Sequence, residues 1–245
     1  MKETRALLLL LGMFTSACTP LLGVVRTEHP LLGGELGRDS LRTPSSLAVV
    51  LDDPVPDDDA ITAKARALIA QTAADSLGRG ALIVEGERYR MDCSGVVRAI
   101  YAKAGFPLGF VHVERESAGD ARVIYELVQR TGSLRRAHPL AGDLAFFSDT
   151  YDQNGNGLAD DSLSHVGIVE KIEDGTVVIV HHIGTAIVRA RMTLARPHER
   201  HDDQGRALNH FLRAANAART AKTTAELFVA FGSLPLDARA RLAAR

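Results

Sequence analysis

The chain has 245 residues, 46% hydrophobic and 24% charged, with a formal net charge of −1. That length suits one sizeable domain with extensions and is tight for two. The near-neutral balance supplies no field that would steer the chain to nucleic acid, so no nucleic-acid partner is expected.

Lys2 and Arg5 give a basic start, Leu7 to Phe14 form a short apolar core, and the small residues Ser16 and Ala17 precede Cys18. The apolar run is too short to span a bilayer, which predicts a signal peptide over residues 1–18. "FTSAC" also resembles a bacterial lipobox, with Thr15 where leucine is usual. In that case Cys18 takes a lipid anchor that holds the protein on the membrane of a bacterial cell envelope. Plain secretion with cleavage near Ala17 is the alternative. If Cys18 is lipidated or lost, Cys93 has no cysteine partner, since the chain has only these two. A lone thiol in an exported protein is either a buried small apolar residue or a reactive group.

Residues 19–58 read as an extended tether, rich in Gly, Pro, Ser and Thr and ending in "LDDPVPDDDA". "ITAKARALIAQTAADSLG" carries helical spacing with Gly78 as a stop, and "ALIVEGERYRMD" reads as two short strands around Glu85-Gly86. After Cys93, Val96, Val97, Ile100 and Tyr101 share one helical face that ends at Gly105. "DARVIYELVQRTG" predicts a further helix, and "PLAGDLAFFS" a turn and strand. "SHVGIVEKIEDGTVVIVHHIG" predicts a hairpin about Asp174-Gly175, and "TAIVRARMTL" another strand. From Asn209 onward the pattern turns helical, giving a helical tail over 214–245 in which Leu227, Phe228 and Phe231 serve packing. Helices first and antiparallel strands after predict an α+β domain over residues 59–213.

Cys93 falls at the first turn of a predicted helix, with Asp92 as N-cap. A helix N-terminus favours thiolate through its dipole and unpaired N–H groups, and those groups could also face an oxyanion. Ser94 and Gly95 complete that turn, with Gly95 leaving room for an approaching substrate. The charge of Asp92 works the other way and raises the thiol pKa, so a neighbouring base is required. The hairpin offers one. His165 opens its first strand, and His181 and His182 lie on the returning strand. A simple two-residue turn would bring His182 to the face of His165, while a bulge would bring His181; periodicity leaves both open.

Together these segments resemble the NlpC-type bacterial cell-wall peptidases, a branch of the papain-like fold. "DCSG" with "VVRAIYAKAG" resembles that family's nucleophile helix, "PLAGDLAFF" its "PGDLVFF" strand, and "SHVGIV" the strand bearing its histidine. The resemblance spans about Ile61 to Leu194. It implies a papain-like domain, N-terminal helices packed on an antiparallel sheet with the nucleophile at a helix N-terminus. It implies Cys93 as nucleophile, His165 as base and His181 as third residue, with His182 the alternative. The activity implied is hydrolysis of amide bonds in peptidoglycan stem peptides, of the D-glutamyl-diaminopimelate type, through an acyl-enzyme and without a metal. An amidase or acyltransferase on the same fold and a non-catalytic calcium-binding envelope lipoprotein are the alternatives. A monomer is expected. The family's tyrosine before the nucleophile is not securely placed, Tyr89 being a candidate.

Between the two matching strands, "DTYDQNGNGLADDSLSH" places Asp152, Asn154, Asn156, Gly157 and Asp160 at loop positions one, three, five, six and nine, with the Leu158 carbonyl at seven. This is calcium-loop spacing, and a structural calcium ion is expected there. Position twelve is Leu163 rather than the bidentate glutamate of an EF-hand, so Asp161 or Asp149 would have to fill in. A polar connector uses the same residues for turn reasons. "RPHERHDD" (Arg196 to Asp203) lacks regular ligand spacing and reads as a solvated charged loop.

Overall fold

The computed structural model describes residues 58–109, 120–216 and 219–236. The predicted signal segment with Cys18 and the tether up to residue 57 lie outside the described residues.

Helix α1 (Ala60–Ala74) starts where Asp59 accepts the Thr62 N–H at 2.7 Å, and it buries Ala65, Ile69, Ala70 and Ala73. Two short strands, β1 (Ile83–Val84) and β2 (Glu87–Arg88), pair around Glu85 and Gly86. Both turn residues have positive φ, the tight reversal expected of this hairpin. Helix α2 (Cys93–Lys103) buries Val96, Val97, Ile100 and Tyr101, and Gly105 leaves it with φ +85°. Helix α3 (Asp120–Thr131) buries Ala121, Ile124 and Val128.

The centre is a six-stranded antiparallel sheet of β3 (Ser133–Arg135), β4 (Leu144–Phe147), β5 (His165–Glu173), β6 (Thr176–Ile183), β7 (Ala186–Met192) and β10 (Phe228–Ser233). Their spatial order is β3-β10-β4-β5-β6-β7. The three helices pack on the face formed by Leu144, Phe146, Val166, Ile168, Val180 and Ile187. The other face, with Ala145, Phe147, Val169, Ile179 and Phe231, is covered by Leu212 and Leu227 from the C-terminal region. Because both faces are buried, these strands read as continuous apolar runs rather than alternating ones. Mixed helix and antiparallel sheet makes the domain α+β, with Cys93 opening α2.

The C-terminal region departs from its helical pattern. Among its described residues only α4 (Thr224–Leu227) is helical, held by a reciprocal capping box between Thr223 and Glu226. Before it, β8 (Phe211–Arg213) pairs with β9 (Lys222–Thr223). After it, Phe228–Ser233 forms β10 between β3 and β4. The expected helix through Phe228 and Phe231 is therefore a central strand. The physical reason is tertiary: β3 and β4 each present an edge of N–H and C=O groups, and the apolar "FVAF" segment satisfies both while burying Phe231 completely. Local propensity loses to that demand.

A buried ion network fastens this strand to the rest. Asp143, fully buried, accepts from Arg66 of α1 at 2.5 Å, from Ser233 of β10 at 2.6 Å, from the Leu140 N–H at 2.8 Å, and from Arg135 of β3. Arg135 also donates to the Ser233 hydroxyl at 2.6 Å. Among the described residues no helix is long and apolar enough to cross a membrane.

Candidate functional site

Cys93 is the first residue of α2, and the first turn is tied down on several sides. The Asp92 carboxylate accepts the Gly95 N–H at 2.7 Å and the Ser94 hydroxyl at 2.8 Å. Arg90 donates to its other oxygen at 2.7 Å and reaches Asp120 of α3 at 2.8 Å. Burial works to raise the Asp92 pKa, yet these donors hold it below the usual carboxylate value. Gly95 does not clear a path for substrate as its small size suggests. A Cβ there would lie 2.2 Å from the Arg90 carbonyl oxygen, so the glycine admits the chain's own backbone.

The thiol of Cys93 is free and half-buried. Burial pushes its pKa above the ordinary thiol value, and the Asp92 charge pushes the same way. The N–H groups of Val166, Ser94 and Cys93 itself act in the opposite direction, favouring thiolate, and do not prevail. The helix-terminus effect expected from the sequence is thus present but outweighed by desolvation. Val166 follows His165 directly, so its N–H places the start of β5 against the sulfur. Cys93 and His165 line one cavity of about 360 Å³, together with Asp92, Thr150, Tyr151 and His182.

The hairpin resolves which imidazole meets His165. Around the turn, where Asp174 and Gly175 both have positive φ, Glu173 pairs with Thr176 and Lys171 with Val178. The register then shifts, and Val169 pairs with Ile179. Glu170 is the extra residue of this bulge, and a two-point ion pair to Arg189 of β7 at 2.6 and 2.8 Å holds it. One extra residue exchanges the faces of the strand beyond it. His181 rather than His182 therefore shares a face with His165. Nε2 of His165 lies 2.9 Å from Nδ1 of His181, with the rings nearly perpendicular at 87°. Gly167 makes room for this pairing, since a Cβ there would lie 2.7 Å from Ile179 Cγ2 and 3.1 Å from His181 Cβ.

Both rings are buried and neutral at pH 7. Burial, then the neighbouring His181 and His182, drive the His165 pKa well below the usual histidine value. Burial, then His210 and His182, bring His181 down to about 4. With the His165 proton on Nε2 and donated to His181, Nδ1 of His165 is left as the acceptor, the form a general base needs.

The loop between β4 and β5 walls the cavity through Thr150 and the half-exposed Tyr151, neither of which the sequence pattern singles out. Beyond them the calcium-like residues are engaged with their own loop. Asp152 accepts the Asn156 N–H at 3.1 Å and the Gly157 N–H at 2.8 Å, while Asn156 donates to Asp160 at 3.0 Å. Oδ1 of Asn154 accepts the Asn156 N–H at 2.9 Å, and that of Asn156 the Leu158 N–H at 2.7 Å. Arg219, 9% exposed, lies beneath, 3.5 Å from Asp161 and 3.9 Å from Asp152. Among the described residues no three His, Cys, Asp or Glu side chains converge as a metal would need. Oxygens of Asp152, Asn154, Asn156 and Asp160 nevertheless gather along one turn, a donor set of the hard type that suits calcium. The "RPHERHDD" loop is paired with its surroundings: Arg196 with Glu199, His198 with Glu226, and Asp202 with Arg206.

Comparison with protein-family profiles and with curated protein sequences gives no match. Among solved structures the chain is similar to the crystal structure of an NlpC/P60 family protein from Bacillus cereus ATCC 10987, at 18% identity and a TM-score of 0.36. The match covers 74% of this chain and 42% of that one, so the chain spans less than half of that protein's length. A superposition this loose assigns neither family nor activity.

Proposed function

We propose that the protein is a papain-like cysteine peptidase of the bacterial cell envelope, cleaving amide bonds in peptidoglycan stem peptides. The observation that carries this reading is the 2.9 Å contact between His165 Nε2 and His181 Nδ1, beside a cavity that His165 shares with a cysteine at a helix N-terminus. A base held by a third polar group, facing a thiol, is the arrangement nucleophilic acyl transfer requires. The wall-peptide substrate comes from the resemblance of "DCSG", "PLAGDLAFF" and "SHVGIV" to the NlpC-type blocks.

In the proposed reaction His165 takes the thiol proton on Nδ1 as Cys93 sulfur bonds to the carbonyl carbon. The proton then passes to the leaving amine as the C–N bond breaks, and water hydrolyses the thioester to free the acid and restore the thiol. Because the thiol and imidazole are neutral at rest, proton transfer accompanies attack instead of preceding it. Cys18 would anchor the enzyme to the membrane. The loop from Asp152 to Asp160 would take a structural calcium ion that stiffens the Thr150–Tyr151 wall without entering the chemistry. Calcium is then expected to raise the melting temperature of the wild type and to leave that of Asp152→Ala unchanged; equal melting curves with calcium and with chelator would remove the ion from this reading.

The direct test is digestion of purified peptidoglycan by the chain lacking residues 1–18, beside Cys93→Ala, with products read by mass spectrometry. New peptide ends that need Cys93 establish the hydrolase and name the bond. Loss of the sugar–peptide link would make it an amidase, a transferred acyl group an acyltransferase, and no turnover by either protein a binding lipoprotein.

A further inference from the structure

His182 is left unused by the His165–His181 pair. It lies on the other side of β6, is 6% exposed, and still lines the cavity with Cys93. Its Nε2 is buried and has no hydrogen-bond partner among the described residues. A buried polar atom without a partner is costly, and native proteins seldom retain one without a use. The other buried or capped polar groups of this cavity are already engaged. Thr150 bonds Ser164 at 2.8 Å, Asp92 holds the first turn of α2, and His165 meets His181. With no protein partner at Nε2, that nitrogen is free to present a proton to an incoming acceptor. The cavity walls around it are largely apolar, with Met91, Ile183 and Leu212. A donor in such surroundings is worth more than one in water.

We propose that His182 is a catalytic residue of this site, donating a hydrogen bond to the substrate carbonyl oxygen attacked by Cys93. It would act with the N–H groups at the start of α2 as the charge on that oxygen grows. The inference rests on reading Cys93 as an acyl-accepting nucleophile. It does not depend on which acyl compound is the natural substrate.

Two reactions at Cys93 separate this role from a structural one. Acylation by p-nitrophenyl acetate passes through a tetrahedral oxyanion: sulfur bonds to the carbonyl carbon, and p-nitrophenolate leaves. Alkylation by iodoacetamide displaces iodide and forms no oxyanion. Both are followed by intact mass at pH 9. His182→Ala is expected to slow acylation about a hundredfold, the usual scale for losing one such donor, while alkylation stays within about twofold. His182→Gln, which keeps an N–H, is expected to recover about tenfold of the loss. Equal acylation by wild type and His182→Ala would overturn the proposal. So would parallel loss of both reactions, which would make His182 a packing residue, and so would a wild type that is alkylated but never acylated. Acylation that depends on His182 in a protein that leaves peptidoglycan intact would sustain this inference and sink the wall-peptidase reading.

Discussion

Nε2 of His165 and Nδ1 of His181 meet at 2.9 Å because strand β5 carries one residue too many. The bulge at Glu170 turns His181 toward His165, and Arg189 keeps Glu170 out of the ladder. In the proposed reaction His181 is a positioning residue that fixes which nitrogen of His165 serves as base. His181→Ala should lower kcat for wall-peptide cleavage by about 10² with little change in KM, because it removes orientation rather than substrate contact. His181→Asn should restore part of that loss by keeping an acceptor. Steady-state kinetics of the three proteins decide it, and a pure KM effect would remove His181 from the pair.

The elements that position Cys93 were legible because their signals are local. Asp92 as cap, the apolar face through Tyr101 and the Asp174-Gly175 turn all lie within a few residues of what they specify. The bulge was not legible, since alternation fixes faces only up to the point where an extra residue enters, and nothing in "GIVEKIE" marks that point before Arg189 is placed beside Glu170. Strand β10 carries a helical pattern in the sequence for a similar reason: the edges it completes belong to β3 and β4, far away in sequence. Arg219 beneath the loop is another long-range case, 58 residues from Asp161. Burial of Cys93, which decides the direction of its pKa, has no sequence signature.

The buried imidazoles make stability depend on pH. The folded pKa values of His165 and His181 lie below the unfolded value near 6.5, with His181 at about 4. In that interval the unfolded chain binds protons that the folded chain does not. Stability contributed by the neutral rings is therefore complete above about pH 6.5 and falls as pH drops toward 4, by up to about 1.4 kcal/mol per pH unit for each ring. Urea unfolding at pH 7.5, 6 and 5 should show falling midpoints, with a shallower decline in His181→Gln. A midpoint that does not move across this range would show that the rings are not buried as neutral groups.

The raised pKa of Cys93 gives the thiol a distinct reactivity profile. An ion pair of thiolate and imidazolium would keep alkylation fast down to mildly acidic pH. Here burial and Asp92 favour the thiol, and burial also favours neutral His165. The rate of iodoacetamide alkylation should therefore climb with pH through and beyond the ordinary thiol range, without an acidic plateau. Asp92→Asn should move the curve to lower pH by removing one of the charges that oppose the thiolate. A plateau between pH 5 and 7 in the wild type would mean that the resting site is an ion pair after all.

Asp143 places the C-terminal strand under the control of a buried charge. Its two oxygens are shared among Arg66, Arg135, Ser233 and the Leu140 N–H, which come from α1, β3, β10 and the turn before β4. Desolvating these ions is expensive, and the network offsets that cost only while every partner is present. Asp143→Ala would leave Arg135 buried against Ser233 with no carboxylate, and Arg66 with Asp58 alone. The expected loss is about 3–5 kcal/mol, the usual penalty for orphaning a buried charge. Asp143→Asn keeps an acceptor and should lose less. Because Ser233 belongs to β10, the damage should appear first as faster hydrogen exchange in Phe228–Ser233 and in its neighbours β3 and β4. The β5–β6 hairpin, which has its own pairing, should stay protected. Uniform loss of protection across the sheet would instead mean that β10 is an integral part of one cooperative unit.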